Sequence, residues 1–234
     1  MIFLQHNIDY PAIIFGIIFL VIIGGCIAMF IYKQKRSIIR RTFRKIPEKN
    51  ILLAKENEYI KVIGNTNPID EPLIAPLSKR RCVYYQITVE QVGESGVNNR
   101  NTNVIIDEEK CINFSIESLE SKAIVKTTSL EDSRMVHLKK DRKFTSDIWN
   151  GASDNLQTYL NSKGMKSTFF GLSKSMAYYE SVIEIGEKIA VAGMAHWIES
   201  DHKLDQYSSK NLCISGNKAN KLLITNDPEV MDTN

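Results

Sequence analysis

The residues best able to do chemistry in this chain sit in two places. "HWIESDH" gathers His196, Glu199, Asp201 and His202, imidazoles and carboxylates of the kind that hold a metal or move a proton. "LSKRRCVYY" sets Lys79, Arg80 and Arg81 directly before Cys82, Tyr84 and Tyr85, cations beside rings, the materials of a single-strand-binding surface. Neither spacing makes a centre. His196 and His202 are six residues apart, which suits neither one helical face nor the paired imidazoles of a zinc helix. The serines around "GLSKS" lack a G-x-S-x-G elbow, and no glycine-rich phosphate loop is present. Cys26, Cys82, Cys111 and Cys213 are scattered without a C-x-x-C pair, so they read as buried apolar residues. The sequence thus assigns no catalytic, cofactor-binding or metal-binding residue.

Charge is unevenly placed. Ala12 to Tyr32 is 21 residues without a charge, roughly 31 Å of helix and the thickness of a bilayer core, which predicts a transmembrane helix. "IGGC" resembles a lipoprotein cleavage box, but the apolar run continues six residues past Cys26 and no Lys or Arg precedes it. Residues 33–49 then hold eight Lys/Arg against the single Glu48, while residues 50–234 sum to −3. The positive-inside rule places the basic side in the cytoplasm, so a single-pass cell-membrane protein with its N-terminus outside is expected. Lys33, Lys35, Arg36, Arg40, Arg41, Arg44 and Lys45 form the membrane-proximal set. Ile39, Phe43 and Ile46 recur at i, i+4 and i+7 among them. That fits either a helix lying at the headgroups with its cations toward the lipid bilayer, or a solvated basic linker.

Beyond residue 50 the period changes. "YIKVIG", "VYYQITVEQV", "CINFSI", "KAIVKT", "RMVHL", "YYESVIEIG", "KIAVAGMAHWI" and "KLLIT" are short and rich in β-branched or aromatic residues, which predicts a mainly β domain. One helix interrupts, from Ser153 as N-cap through Leu156, Tyr159 and Leu160 to Gly164. "GVNNRNTN" reads as a hairpin tip. Strict alternation over 83–90 puts Val83, Tyr85, Ile87 and Val89 on one face and Tyr84, Gln86, Thr88 and Glu90 on the other. Tyr84 and Tyr85 therefore cannot share a base-stacking platform, and the folded part is acidic overall, so nucleic acid is not an expected partner. Phe169 and Phe170 with Tyr178 supply aromatic material for a protein-recognition edge, with Lys79, Arg80 and Arg81 beside it.

"EPLIAPLSKRRCVYYQITVEQ" resembles the signature of the GIDE family, whose globular part is also called the BAM ("beside a membrane") domain. The matching features are a "PL" approach with Pro72 and Pro76, then Cys82, Tyr84 and Tyr85, and a strand ending at Glu90. "FSIESLESKAIV", the helix closing at Gly164, "YYESVIEIGEKIAVAGMA" with Glu180, Gly186 and Gly193, and "LLITN" follow in the family's order. The resemblance implies an α+β, barrel-like domain with one inserted helix. Its best-known members are membrane-anchored RING ubiquitin ligases. This chain has neither a second apolar span nor the eight Cys/His ligands of a RING, so it resembles the RING-less prokaryotic members. The expected layout is a tail over 1–11, a transmembrane helix over 12–32, a basic segment over 33–49, the β domain over 50–227 and an acidic frayed tail over 228–234. The expected role is non-catalytic recruitment of a protein partner to the cytoplasmic membrane face. The alternative is a component of a ubiquitin-type ligase acting with a separate RING protein.

Overall fold

The computed structural model describes residues 36–95, 99–119, 121–127, 133–139, 142–146, 153–165, 168–169, 172–173, 175, 176–199 and 210–231, together with residue 19 and residues 22–24. The predicted span over 12–32 otherwise falls outside these residues, as do Lys33, Lys35, Phe170, Asp201, His202 and residues 96–98 of the hairpin tip expected over 96–103, whose residues 99–103 are strand paired with 91–95. Residues 19 and 22–24 are helical. Among the described residues no helix is long and apolar enough to cross a membrane.

Residues 36–45 are a helix, α1, followed by a 3-10 turn at Ile51–Leu53. Strands follow as β1 (Tyr59–Pro68), β2 (Leu73–Ile74), β3 (Arg81–Ser95), β4 (Asn99–Cys111), β5 (Phe114–Ser118), β6 (Ser121–Val125), β7 (Arg134–His137) and β8 (Arg142–Ser146). Helix α2 (Asp154–Ser162) precedes β9 (Thr168–Phe169), β10 (Leu172–Ser173), β11 (Met176–Glu184), β12 (Lys188–Glu199), β13 (Lys210–Ser215) and β14 (Leu222–Thr225), and α3 (Pro228–Met231) closes the described chain.

The mainly β expectation holds, and five strands close on themselves in the order β1-β5-β6-β13-β12, with β12 returning to β1. Following the register from Thr66 through Ile116, Ala123 and Leu212 reaches Trp197 on β12, ten residues beyond Glu187, whose carbonyl accepts from Thr66 N–H. Five strands with so large a stagger tilt steeply, and the narrow barrel is filled by side chains. Ile60, Val62, Phe114, Ile116, Val191 and Ile214 do this. Strands β14 and β7 continue outward from β12.

A second sheet, with β3 between β4 and β11 and β8 beyond β11, lies against the barrel. The alternation expected for β3 fails at its start. Opposite Ile183 and Glu184 the register jumps from Tyr84 to Cys82, so Val83 is the extra residue of a bulge, which turns two successive side chains the same way. Val83 and Tyr84 therefore enter the barrel core, while Tyr85, Ile87 and Val89 line a separate core under α2. The four do not share one face.

Helix α2 forms where expected. Leu156, Tyr159 and Leu160 are buried, and Gly164 ends it at φ 71°. Gly164 N–H donates to Asn161 O and Met165 N–H to Leu160 O, the paired closure that a left-handed residue permits. "CINFSI" is two elements: β4 ends at Cys111 and β5 starts at Phe114.

Helix α1 is the largest departure. Its apolar stripe faces protein: Ile39 and Phe43 are fully buried against Ile63, Ala190, Ala192 and Leu223 on the outer wall of the barrel. Alternation along β12 sends Ile189 and Val191 inward and the two small alanines outward, which leaves a shallow bed for a helix. The tail over 228–231 is also ordered, with Val230 buried in the same cluster. The folded unit thus takes in α1 and α3 on either side of the expected 50–227.

Candidate functional site

The "PL" approach to β3 is a single helical turn held by a carboxylate. Lys79 takes φ 59° and its N–H donates to Ala75 O, while Pro76 opens the turn. The next two amides, of Leu77 and Ser78, donate to Glu180 at 2.9 Å and 3.0 Å. Glu180 is fully buried on β11. Such an arrangement works as a helix start does, with unpaired N–H groups meeting a negative charge. Arg80 lies against the same carboxylate at 3.8 Å, donates to Ser78 Oγ at 2.9 Å, and binds Glu184 at 2.6 Å.

Of two expected surface residues, Arg80 is half-buried and Tyr178 belongs to the interior. Arg80 is spent on Glu180 and Glu184, and Tyr178 has no exposed area, its hydroxyl donating to Met176 Sδ at 3.3 Å. Both were expected at a recognition edge. The basic triplet precedes a bulge and an internal carboxylate, which draws in its middle member and leaves Lys79 and Arg81 exposed. Phe169 lies in the short β9 hairpin, apart from Tyr178 in the sheet pairing.

The resembling residues are structural where described. Cys82, Tyr84 and Tyr85 are buried, Pro72 and Pro76 half-buried, and Glu90 half-buried on β3. Gly186 makes the β11–β12 turn at φ 81°, and a side chain at Gly193 would reach Ser215 O at 2.7 Å.

Two further carboxylates bind the lobes together. Glu108 accepts from Tyr85 at 3.0 Å and Tyr159 at 2.7 Å and pairs with Lys163 at 2.8 Å, which fastens α2 to the second sheet. Burial and the Glu108 charge push both tyrosines up, Tyr85 to about 12. Glu109 accepts from Tyr84 at 3.0 Å and from Arg134 at 2.5 Å, which ties β4 to β7. No sequence motif marks these residues. The available signal is the row Asp107, Glu108, Glu109 on a strand, where successive acids point to opposite faces.

Of the "HWIESDH" group, His196 and Glu199 lie on β12, while Asp201 and His202 fall outside the described residues. His196 Nδ1 lies 3.0 Å from Glu56, which also accepts from Trp197 N–H at 2.8 Å, and these bonds hold the Glu56 carboxyl below its usual range. Among the described residues no three His, Cys, Asp or Glu side chains could hold a metal. Burial pushes the Cys82 thiol up to about 12 and the Cys111 thiol up to about 11. An open cleft of about 550 Å³ lies beside the β11–β12 turn, between Arg80, Lys139, Glu184, Glu187 and Asn226. Its charges are largely engaged, since Glu184 holds Arg80 and Glu187 accepts from Asn226 at 2.9 Å.

The basic segment is divided. Arg40 reaches Asp227 at 2.7 Å and Glu229 at 2.5 Å, and Arg36 reaches Asp227 at 3.5 Å. Asp227 also accepts from Glu229 N–H, so one carboxylate starts α3 and clamps α1. Burial would raise the Asp227 carboxyl, but the hydrogen bonds and cations outweigh it and hold it below the usual range. Arg41, Arg44 and Lys45 remain exposed on the opposite side of α1.

Set against known proteins, the chain matches no family model, no curated protein and no solved structure.

Proposed function

We propose that this protein is a membrane-tethered, non-catalytic interaction module. Residues 12–32 serve as the anchor, and the β domain presents a protein-binding surface at the cytoplasmic face. The observation that carries the reading is how α1 is built into the barrel. A basic segment that follows an uncharged 21-residue stretch is not a loose linker: two buried apolar side chains and two arginines fix it to the domain. Tethering through a docked helix gives the domain a defined stance toward whatever holds the apolar stretch, and it raises the effective concentration of a partner there. The described charged clusters fit this role, because Glu180, Glu108, Glu109 and Asp227 all hold structural partners. The GIDE-like segments point the same way, toward a RING-less member of that family.

Fractionation tests the reading. The full chain should stay with membranes through alkaline carbonate extraction, and its β domain should be digested by protease added on the cytoplasmic side only. Release by carbonate, or digestion only from the opposite side, overturns it.

A further inference from the structure

We propose that the outer face of α1 is a docking surface for anionic phospholipid headgroups, with Arg41, Arg44 and Lys45 as its contacts. This rests on the membrane-anchored reading above. The spacing i, i+3, i+4 puts the three cations on one side of the helix, and all three are exposed. Ile39 and Phe43 are under the barrel, and Arg36 and Arg40 are turned to Asp227 and Glu229. One helix thus carries two sets of cations with different work. The clamp set holds the fold. The outer set faces no described carboxylate, on a folded part whose net charge is otherwise negative.

Two considerations select a bilayer as the occupant. The first is position: nine residues separate Tyr32, the last of the uncharged stretch, from Arg41. A helix over that stretch would rise roughly 14 Å, within the combined depth of a headgroup layer and one Debye length. The second is chemistry. With the apolar stripe consumed by the barrel, α1 has no row of large apolar side chains to insert, so the contact is electrostatic and must follow lipid charge and salt. An inserted amphipathic helix would follow neither so steeply.

The test uses the full chain in liposomes carrying one photoreactive probe on the acyl chain or one on the phospholipid headgroup, with adducts mapped by mass spectrometry. Acyl adducts within 12–32 and headgroup adducts within 36–45 are expected. The headgroup yield should be on the order of 100-fold higher in anionic than in zwitterionic bilayers, about fivefold per cation, and should collapse in about 0.5 M salt. The R41Q/R44Q/K45Q chain should give the zwitterionic yield even in anionic bilayers, with its thermal midpoint unchanged because the clamp residues are kept. The salt dependence of the unmodified chain tests the same point without any variant. Acyl adducts without charge-dependent headgroup adducts overturn the docking surface and leave the anchor standing. Absence of acyl adducts overturns the anchor and this inference together. Headgroup adducts equal in both lipids assign the cations to another partner, such as an acidic protein, and also overturn the proposal.

Discussion

Replacing Glu180 should be the most damaging single change to the second sheet. Glu180→Ala leaves the Leu77 and Ser78 amides without their acceptor and removes the carboxylate 3.8 Å from Arg80 in a site with no solvent exposure. A hydrogen bond to a charged group contributes about 1.5–3 kcal/mol, and breaking a buried pair by removing one partner costs about 3–5 kcal/mol. These terms overlap, because Arg80 keeps Glu184 at 2.6 Å. A loss of about 4 kcal/mol is therefore expected for Glu180→Ala. Glu180→Gln keeps one carbonyl oxygen for the two amides and should cost about 1–2 kcal/mol. Urea unfolding of the full chain in detergent, followed by the fluorescence of its two tryptophans, Trp149 and Trp197, and by circular dichroism, measures both. Trp197 is a suitable reporter since its indole N–H donates to Ala54 O at 3.0 Å. Equal midpoints for the two variants, or a Glu180→Ala loss below about 1 kcal/mol, would refute the view that this carboxylate closes the Pro76 turn.

Three other outcomes follow from the same geometry. Acid should loosen α1 in two steps: His137 is held below its usual range by burial and then by Arg36, and Asp227 is also held low. Both folded values lie under the unfolded ones, so their stabilisation is present above about pH 6.5 and pH 3.9 respectively and is lost as pH falls through the lower folded values. Denaturation midpoints from neutral pH down to pH 3 should drop less steeply at the acid end for Asp227→Asn than for the unmodified chain. Cys82 and Cys213, both buried with raised thiols, should resist a maleimide in the native protein and react only in denaturant. Gly186→Ala meets no atom within 4 Å and suffers only its φ of 81°, about 1 kcal/mol. Gly193→Ala meets Ser215 O at 2.7 Å and Ile214 at 2.8 Å, so its thermal midpoint should fall by more.

Strands were legible wherever β-branched and aromatic residues cluster, as along β1, β11 and β12. The β3 bulge was not, because a bulge is set by the partner strand, and Val83 alone reads as one more member of the Tyr85 face. Helix α2 announced itself through Ser153 and Gly164, yet Ser153 makes no side-chain cap bond. The stop signal was the informative one. "KNLCIS" on β13 passed unnoticed because it holds one β-branched residue, Ile214, and no aromatic one, although Asn211 to Ile214 are all buried. The stripe on α1 was visible, but its target was not, since an apolar helical face has the same spacing whether it meets lipid or a bed of alanines. Arg80 shows the same limit on the candidate site: its charge is plain in the sequence, while the carboxylates that absorb it lie a hundred or more residues away.

The most direct test of the central claim is quantitative capture of the full chain, α1 intact, from native membranes in mild detergent, with stoichiometry by mass spectrometry. Truncation at residue 50 would be a poor control, because it strips α1 from Ile63, Ala190, Ala192 and Leu223. The account predicts a protein partner recovered in near-equal amount and kept by the Arg41, Arg44 and Lys45 variant in detergent, which places recognition on the β domain. A chain recovered without any stoichiometric protein partner would contradict it.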